Sequence, residues 1–417
     1  MWQDHGLGLL RTLTAQADIQ SSVLSTRNFR TWRTLAKHMR SFTLLIMNVR
    51  IHTYPIARMA AHIFKTVNPG GMVVVGGIHS TVALDEMLEV EDFDRICQGP
   101  GENIIVDLIH NPSAFDRVIK GKGCTSLDQW PMIDRTLWPK LKWNNPFRPN
   151  CWPLENGCGW GPEPVATLLT SRVCPWRCSF CNESNFIPTM HRRSVDRVID
   201  ELNFLDASFG PVGSLVIHDS MFMQHPKWLT EWVEKYPRLA RNQWPYWAAT
   251  RTNVIRRWPE LFVELVTRTN WQIISIGFES ASDRMLGVLN KACTLEDHQA
   301  AIELIRLVGD DLEKKGRPRP RIWANFMLGI PGEERQEAFK TMKLLRSIPG
   351  ALPSISYYAP YPGSVLGQKM TAEGKSLMTR ENYHRYPSSR KLAGVDYDFY
   401  DQLVKGKYDA EISATVL

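Results

Sequence analysis

Short runs of consecutive apolar residues alternate along this chain with stretches whose apolar positions recur at helical spacing. That rhythm predicts strands and helices in turn. Residues 8–17 and 28–40 read as helices, and 43–49 is an apolar run of strand length. Residues 56–67 carry Ala57, Ala60, Ala61 and Phe64 on related helical faces. The β-branched run 72–75 ends in Gly76-Gly77, which suits a parallel strand feeding a loop. A short helix over 82–88, a minimal strand at 95–97 and a helix over 103–110 complete this part. Such alternation implies an open, mostly parallel α/β sheet, with ligands at the carboxyl ends of its strands.

The rhythm breaks between 121 and 164. Trp130, Pro131, Trp138, Pro139, Trp143, Pro146, Pro149, Trp152 and Pro153 crowd this stretch, which reads as an ordered connector. Alternation then resumes. Strands are expected at 165–170, 214–218, 246–250, 272–277, 322–328 and 355–358, with helices at 194–205, 228–236, 260–268, 295–308 and 336–347. Six strand-helix repeats make a partial (β/α)6 barrel, in which chemistry sits on the loops after the strands. Asp219, Arg251, Glu279 and Glu333 all fall at such strand ends. Four regions follow: 1–120, an open sheet whose first strand is short or missing; 121–164, the connector; 165–369, the barrel; and 370–417, a small C-terminal extension.

Composition changes this picture little. Of 417 residues, 43% are hydrophobic and 22% charged, ordinary for a protein with a real core. The longest apolar run is strand-sized, far from the ~20 residues of a membrane-spanning helix, and the N-terminus lacks the signs of a signal peptide. A cytoplasmic location and no membrane span are therefore expected. The net charge of +7 is scattered, with its densest patch in KKGRPRPR at 314–321. No aromatic-basic recognition motif accompanies it, so it reads as a solvated loop and nucleic acid is not an expected partner.

The cysteines change it more. There are eight, too few for a disulfide scaffold. Three of them, Cys174, Cys178 and Cys181, fall in CPWRCSFCN, a CxxxCxxC spacing. Three thiolates this close can hold three irons of a cubane cluster and leave the fourth iron open. The rival reading is a structural zinc site or three packed core cysteines. A closed zinc site wants four ligands, and only Cys158 and His191 stand as outsiders.

With these motifs in view, the chain resembles the radical S-adenosylmethionine superfamily, in the branch with an N-terminal cobalamin-binding domain. That branch includes cobalamin-dependent radical methyltransferases and the anaerobic magnesium-protoporphyrin ester cyclase group. The likeness covers about 40–370 and implies that the N-terminal sheet is Rossmann-like. Beside the cysteine triplet it rests on Arg193-Ser194, HDSMF at 218–222, WAATR at 247–251, GFESASDRML at 277–286, FMLGIPGE at 326–333 and APYPGS at 359–364. It implies a 4Fe-4S cluster on Cys174, Cys178 and Cys181, with S-adenosylmethionine on the open iron giving a 5'-deoxyadenosyl radical. It further implies that Phe180 lies beside the adenine and that Asp219 and Ser220 lie near the methionine end. Arg251 would balance the carboxylate, and Glu279 with Ser280 would hold the ribose or amine. For Glu279 and Arg251 a buried structural ion pair is the alternative, and Glu333 is weighed as a turn former.

For cobalamin the corresponding positions are Thr53, GGIHST at 76–81 (Gly76, Gly77, His79, Thr81) and GPGE at 99–102 (Gly99, Gly101, Glu102). The family's DxHxxG loop fails here, because Asp4 and His5 are adjacent. The resemblance points to a cobalamin-dependent methyltransferase acting on an unactivated carbon. The alternative is a radical cyclase, oxidoreductase or rearranging enzyme without net methyl transfer. Expected partners are a small-molecule or peptide substrate and an electron donor such as flavodoxin or ferredoxin. Trp143, Trp152, Tyr357 and Tyr358 are candidates for the substrate's entrance, with packing as the favoured account.

Overall fold

A computed structural model describes residues 4–135, 165–183, 191–209, 212–383 and 386–417. Most of the connector, with Trp138, Trp143, Cys151, Trp152 and Cys158, lies outside the described residues. Two parallel sheets organise the rest.

The first sheet has four strands in sequential order: β1 (Leu44–Asn48), β2 (Met72–Gly76), β3 (Arg95–Gln98) and β4 (Val118–Lys120). All pair in parallel. Both faces are covered, as a parallel sheet requires. On one face Val73 and Val75 pack with Phe64, Ala60, Ala61 and Leu35 of the helices Tyr54–Val67 and Trp32–Met39. On the other, Val74 and Cys97 meet Ile104 and Leu108. Successive side chains of β2 thus serve opposite layers, which is the period-two signature of a strand. Among the described residues no strand precedes β1, which forms the sheet's edge, and the helix His5–Gln16 comes before it. The sequence reading missed β4, and its helix at 82–88 is two short helices, Ile78–Val82 and Leu84–Leu88.

The second sheet curls as a six-stranded partial barrel in the order β12-β11-β10-β9-β8-β5. Its strands are β5 (Val165–Leu168), β8 (Ser214–Ile217), β9 (Tyr246–Thr250), β10 (Trp271–Glu279), β11 (Arg321–Leu328) and β12 (Ala351–Tyr357). A two-residue antiparallel pair, β6 (Ser171–Arg172) with β7 (His191–Arg192), follows β5. Alternation sorts the residues again. Val165, Val216, Ile273 and Trp323 form a lumen cluster with Trp247. Their neighbours Ala166, Leu215, Ile274 and Ala324 face the helices in the main core.

That core is rich in rings. Trp228, Trp232 and Tyr236 recur at helical spacing on Pro226–Leu239 and stack with centroids 5.4 and 4.4 Å apart. The basic run at 314–321 is spent locally: Lys315 bonds Asp311, Arg319 pairs with Asp310 and Glu313, and Arg317 donates to the Thr267 carbonyl. Among the described residues no helix is long and apolar enough to cross a membrane.

The C-terminal extension does more than cap the barrel. Tyr383 enters the N-terminal core, where its hydroxyl donates to Glu86 at 2.5 Å. Arg380 pairs with Glu89, and Glu381 with Arg58. Tyr357 bonds Asp401 and packs on Tyr397 and Tyr400, so it is interior packing. Tyr358 is 1% exposed beside Met285 and Leu289.

Trp232 is fully buried between two stacked rings. Trp232→Ala should therefore cost about 3–5 kcal/mol, the usual loss for a deleted core aromatic. Denaturant midpoints of the barrel's unfolding transition measure it.

Candidate active site

The cysteine loop is built on a buried carboxylate. Asp219, just past β8, accepts hydrogen bonds from the Thr170 and Ser171 amides at 2.7 and 3.0 Å and from both their hydroxyls. It also pairs with Arg192 at 3.3 Å, beyond the loop's far end. Arg192 is held in turn by the Phe222 carbonyl at 2.6 Å and by the Trp228 ring. The entry and exit of the cysteine loop thus converge on one side chain that is 2% exposed. Both oxygens of Asp219 are thus engaged by the loop's flanks.

The body of the loop is pinned from the side opposite. Ser179 donates its amide to the Leu289 carbonyl and its hydroxyl to that of Val288. Asn290 reaches the Arg177 carbonyl at 2.6 Å, and the Leu366 amide bonds Ser179. Burial pushes the Cys181 thiol up to about 12 and Cys174 in the same direction, and each also senses Cys178 electrostatically. A metal-bound cysteine must lose its proton, so a cationic metal centre would be what holds thiolates in such a pocket. Among the described residues no three His, Cys, Asp or Glu converge on a single-ion site. A cubane spreads its thiolates over three irons and does not require that convergence.

Around Cys178 the strand ends assemble charged groups. Arg251, at the end of β9, places Nη1 3.3 Å from Cys178 Sγ and lies 4.1 Å over the Trp176 ring. Its Nη2 is buried without a partner, so an anionic group beside Cys178 would find a donor waiting. Trp176 is itself fixed by Gln224 at 3.0 Å. Glu279 closes β10 in the left-handed region, φ 66°, and pairs with Lys291 at 2.9 Å. Lys291 Nζ lies 5.7 Å from the Phe180 ring centre. Gly277 makes room for the pair: a Cβ there would stand 2.6 Å from Glu279 Oε1 and 2.7 Å from Lys291 Nζ. Buried Cys293, its thiol pushed up to about 11 chiefly by burial, senses both Lys291 and Arg251.

The other expected positions divide. Ser220 is exposed and donates to Glu183 at 2.6 Å, just past Cys181. Ser280 is fully buried, with Thr341 and the Ser282 amide as partners. Glu333 Oε2 accepts from the Gly329 amide at 2.8 Å, so it does shape its turn. Sequence reasoning missed Lys291, Trp176 and Glu183. Trp176 and Glu183 lie within or beside the cysteine motif, but Lys291 follows Glu279 at a distance that carries no periodic signal.

The N-terminal sheet holds a second feature. A cleft of about 220 Å3 opens at the carboxyl ends of β1, β2 and β3. Gly76, Gly77, Gly99, Gly101 and Glu102 line it, with Leu7, Leu10, Ile46, Met47 and Leu108 as apolar walls. Leu169 and Arg172 of the barrel complete it. Gly77 needs to be glycine: φ is 95°, and a Cβ would fall 2.0 Å from Asn48 Oδ1. The remaining expected residues stand outside the lining. Thr53 closes its own turn on Arg50, and Thr81 accepts from the Gly99 amide. His79 is fully buried between Tyr54 and Tyr383, 3.3 Å from Glu86, so it serves packing. His5 Nε2 lies 3.0 Å from Thr167 Oγ1 of β5.

Comparison with known proteins agrees with this geometry. Residues 168–345 match the family model of the Radical SAM superfamily. The chain is 25% identical over 324 residues to the anaerobic magnesium-protoporphyrin IX monomethyl ester cyclase of Cereibacter sphaeroides, covering 76% of this chain and 51% of the cyclase. It is 25% identical over 393 residues to an uncharacterised methyltransferase of Pyrococcus horikoshii, covering 92% and 81%. The chain thus spans about half the length of the cyclase it matches. In structure it resembles TsrM of Kitasatospora setae, a radical S-adenosylmethionine methyltransferase solved with cobalamin and a 4Fe-4S cluster. The TM-score is 0.63 at 18% identity, over 94% of this chain and 80% of that one. The cobalamin-dependent enzyme OxsB gives 0.59 at 15%, over 98% and 59%.

Two expectations follow from the buried charges. Lys291→Met leaves the Glu279 carboxylate buried and unpaired, and should cost about 3–5 kcal/mol in chemical denaturation. Burial raises Glu333 to about 7, so protonated Glu333 persists in the fold after an unfolded chain would have ionised. Stability should therefore fall as pH rises from about 4.5 to 7. Glu333→Gln should be more stable than the parent at pH 8, by on the order of 1–3 kcal/mol, and should lose that advantage near pH 5. Melting curves at the two values decide it.

Proposed function

From the match of residues 168–345 to the Radical SAM superfamily, we propose that the chain is a cobalamin-dependent radical methyltransferase acting on an unactivated carbon. The observation that carries this reading is the pairing of two sites. Cys178 sits beside a guanidinium with a free buried donor, and a glycine-lined cleft opens where the N-terminal sheet meets the barrel. Bound there, a 4Fe-4S cluster supplies the electron that splits S-adenosylmethionine, and cobalamin supplies the methyl carrier.

The protein's own contribution is placement. Cys174, Cys178 and Cys181 hold the cluster. Arg251 Nη2 receives the carboxylate of S-adenosylmethionine, a task suited to a guanidinium. Glu279, its charge balanced by Lys291, receives a hydroxyl or amine. Phe180 and Trp176 wall the site with rings and keep water from it. In the cleft, Gly76, Gly77, Gly99 and Gly101 let the backbone approach a ligand closely. At about 220 Å3 the cleft is smaller than the ~300–1,000 Å3 of sites that enclose a whole drug-sized ligand. That volume would take one ring system of a larger cofactor. The support for cobalamin is this shape together with the likeness to TsrM and OxsB. A small-molecule or peptide substrate and an external reductant complete the proposal.

Anaerobic protein given S-adenosylmethionine, hydroxocobalamin and a reductant should form both 5'-deoxyadenosine and S-adenosylhomocysteine. Cys178→Ala should abolish the first product and the iron-dependent absorbance together. Formation of 5'-deoxyadenosine alone, with every substrate offered, would remove methyl transfer and leave the cyclase or rearrangement reading.

A further inference from the structure

The expected cofactor contact Glu102 has a second engagement. Its carboxylate pairs with Arg172, across the boundary between the N-terminal sheet and the barrel. The Glu102 side chain is only 6% exposed, and among the described residues its second oxygen, Oε2, is buried without a hydrogen-bond partner. Both residues line the cleft, whose other walls are largely apolar. An unpartnered buried oxygen is costly, and an occupant offering an amide or hydroxyl proton would satisfy it.

Arg172 also has a position that matters. It is bridged to His191 across the cysteine loop, and it follows Thr170 and Ser171, which Asp219 fixes. Val173 comes next, with φ 72°. The left-handed region is rare for any residue with a side chain and a true outlier for a β-branched one. Cys174 follows immediately. The backbone that aims Cys174 is therefore strained, and it is held in that state by neighbours on both sides. One of those neighbours is anchored in the cleft.

We propose that Glu102 and Arg172 couple the N-terminal cleft to the cysteine loop. An occupant that satisfies Glu102 Oε2 fixes the carboxylate, the carboxylate fixes Arg172, and Arg172 steadies the strained turn that presents Cys174 to iron. Each site then favours the other's filling, and linkage requires that the effect be mutual. Arg172 and Glu102 are positioning residues in this scheme. The proposal rests on the reading that the cleft receives cobalamin.

The test is hydroxocobalamin binding by the full chain, followed by visible absorbance under anaerobic conditions, with the cluster reconstituted and with iron withheld. The dissociation constant should be lower by at least about fivefold in the reconstituted protein, as is usual for coupled sites. In Arg172→Gln the ratio between the two forms should fall to about one, whatever the affinity itself becomes. Equal affinity with and without iron in the unaltered chain overturns the coupling and leaves the cobalamin reading standing. So does a ratio in Arg172→Gln as large as in the unaltered chain. No binding in either form removes both. A second measurement needs no variant. In the iron-free chain, hydroxocobalamin should slow hydrogen exchange in a peptide spanning 170–178. Protection confined to the glycine loops of the cleft also overturns the proposal.

Discussion

One carboxylate carries an unusual share of this structure. Asp219 binds the residues before the cysteine loop and, through Arg192, the residues after it. A loop without regular structure has no internal hydrogen-bond ladder to define it, so its shape must come from groups that hold its backbone. The carboxylate belongs to the end of β8, and β8 is fixed by its neighbours β5 and β9. The geometry of three thiols is thereby referred to the rigid sheet. A charge this deeply buried is tolerable because every bond it makes is charge-assisted.

The same logic repeats around the site. Arg251, Glu279 and Asp219 all stand at strand ends, and each is neutralised or stacked by a residue from a different element. Lys291 answers Glu279, Trp176 lies under Arg251, and Arg192 answers Asp219. Among the described residues, Arg251 Nη2 and Glu102 Oε2 are buried without hydrogen-bond partners, one beside Cys178 and the other beside the N-terminal cleft. At these two positions a ligand would supply the partner that protein interiors normally provide.

Much of this was legible in the residues. Five barrel strands stand out as apolar runs, as strands buried on both faces do, whereas β12 (Ala351–Tyr357), with Pro353, Ser354 and Ser356, shows only its end at 355–358. The cysteine spacing was visible because three ligands on one loop are a local signal. What escaped was of two kinds. Three-residue β4 is too short to show a pattern, and the helix Thr252–Arg257 is hidden behind its polar and charged residues. Asp219 and Ser280 have residue types that suit ligands, yet their partners come from residues distant in the chain. No spacing rule reveals that a carboxylate is already satisfied.

Tyr383 gives the chain an order of assembly. The N-terminal sheet receives this ring from 297 residues beyond Glu86, after the whole barrel. During synthesis, which runs at roughly 5–20 residues per second, that sheet must wait many seconds for its last core side chain. The N-terminal half therefore spends its early life with a gap beside His79 and Tyr54, and closes it only when the tail arrives. Completion of the N-terminal core in this way depends on a residue made after the barrel.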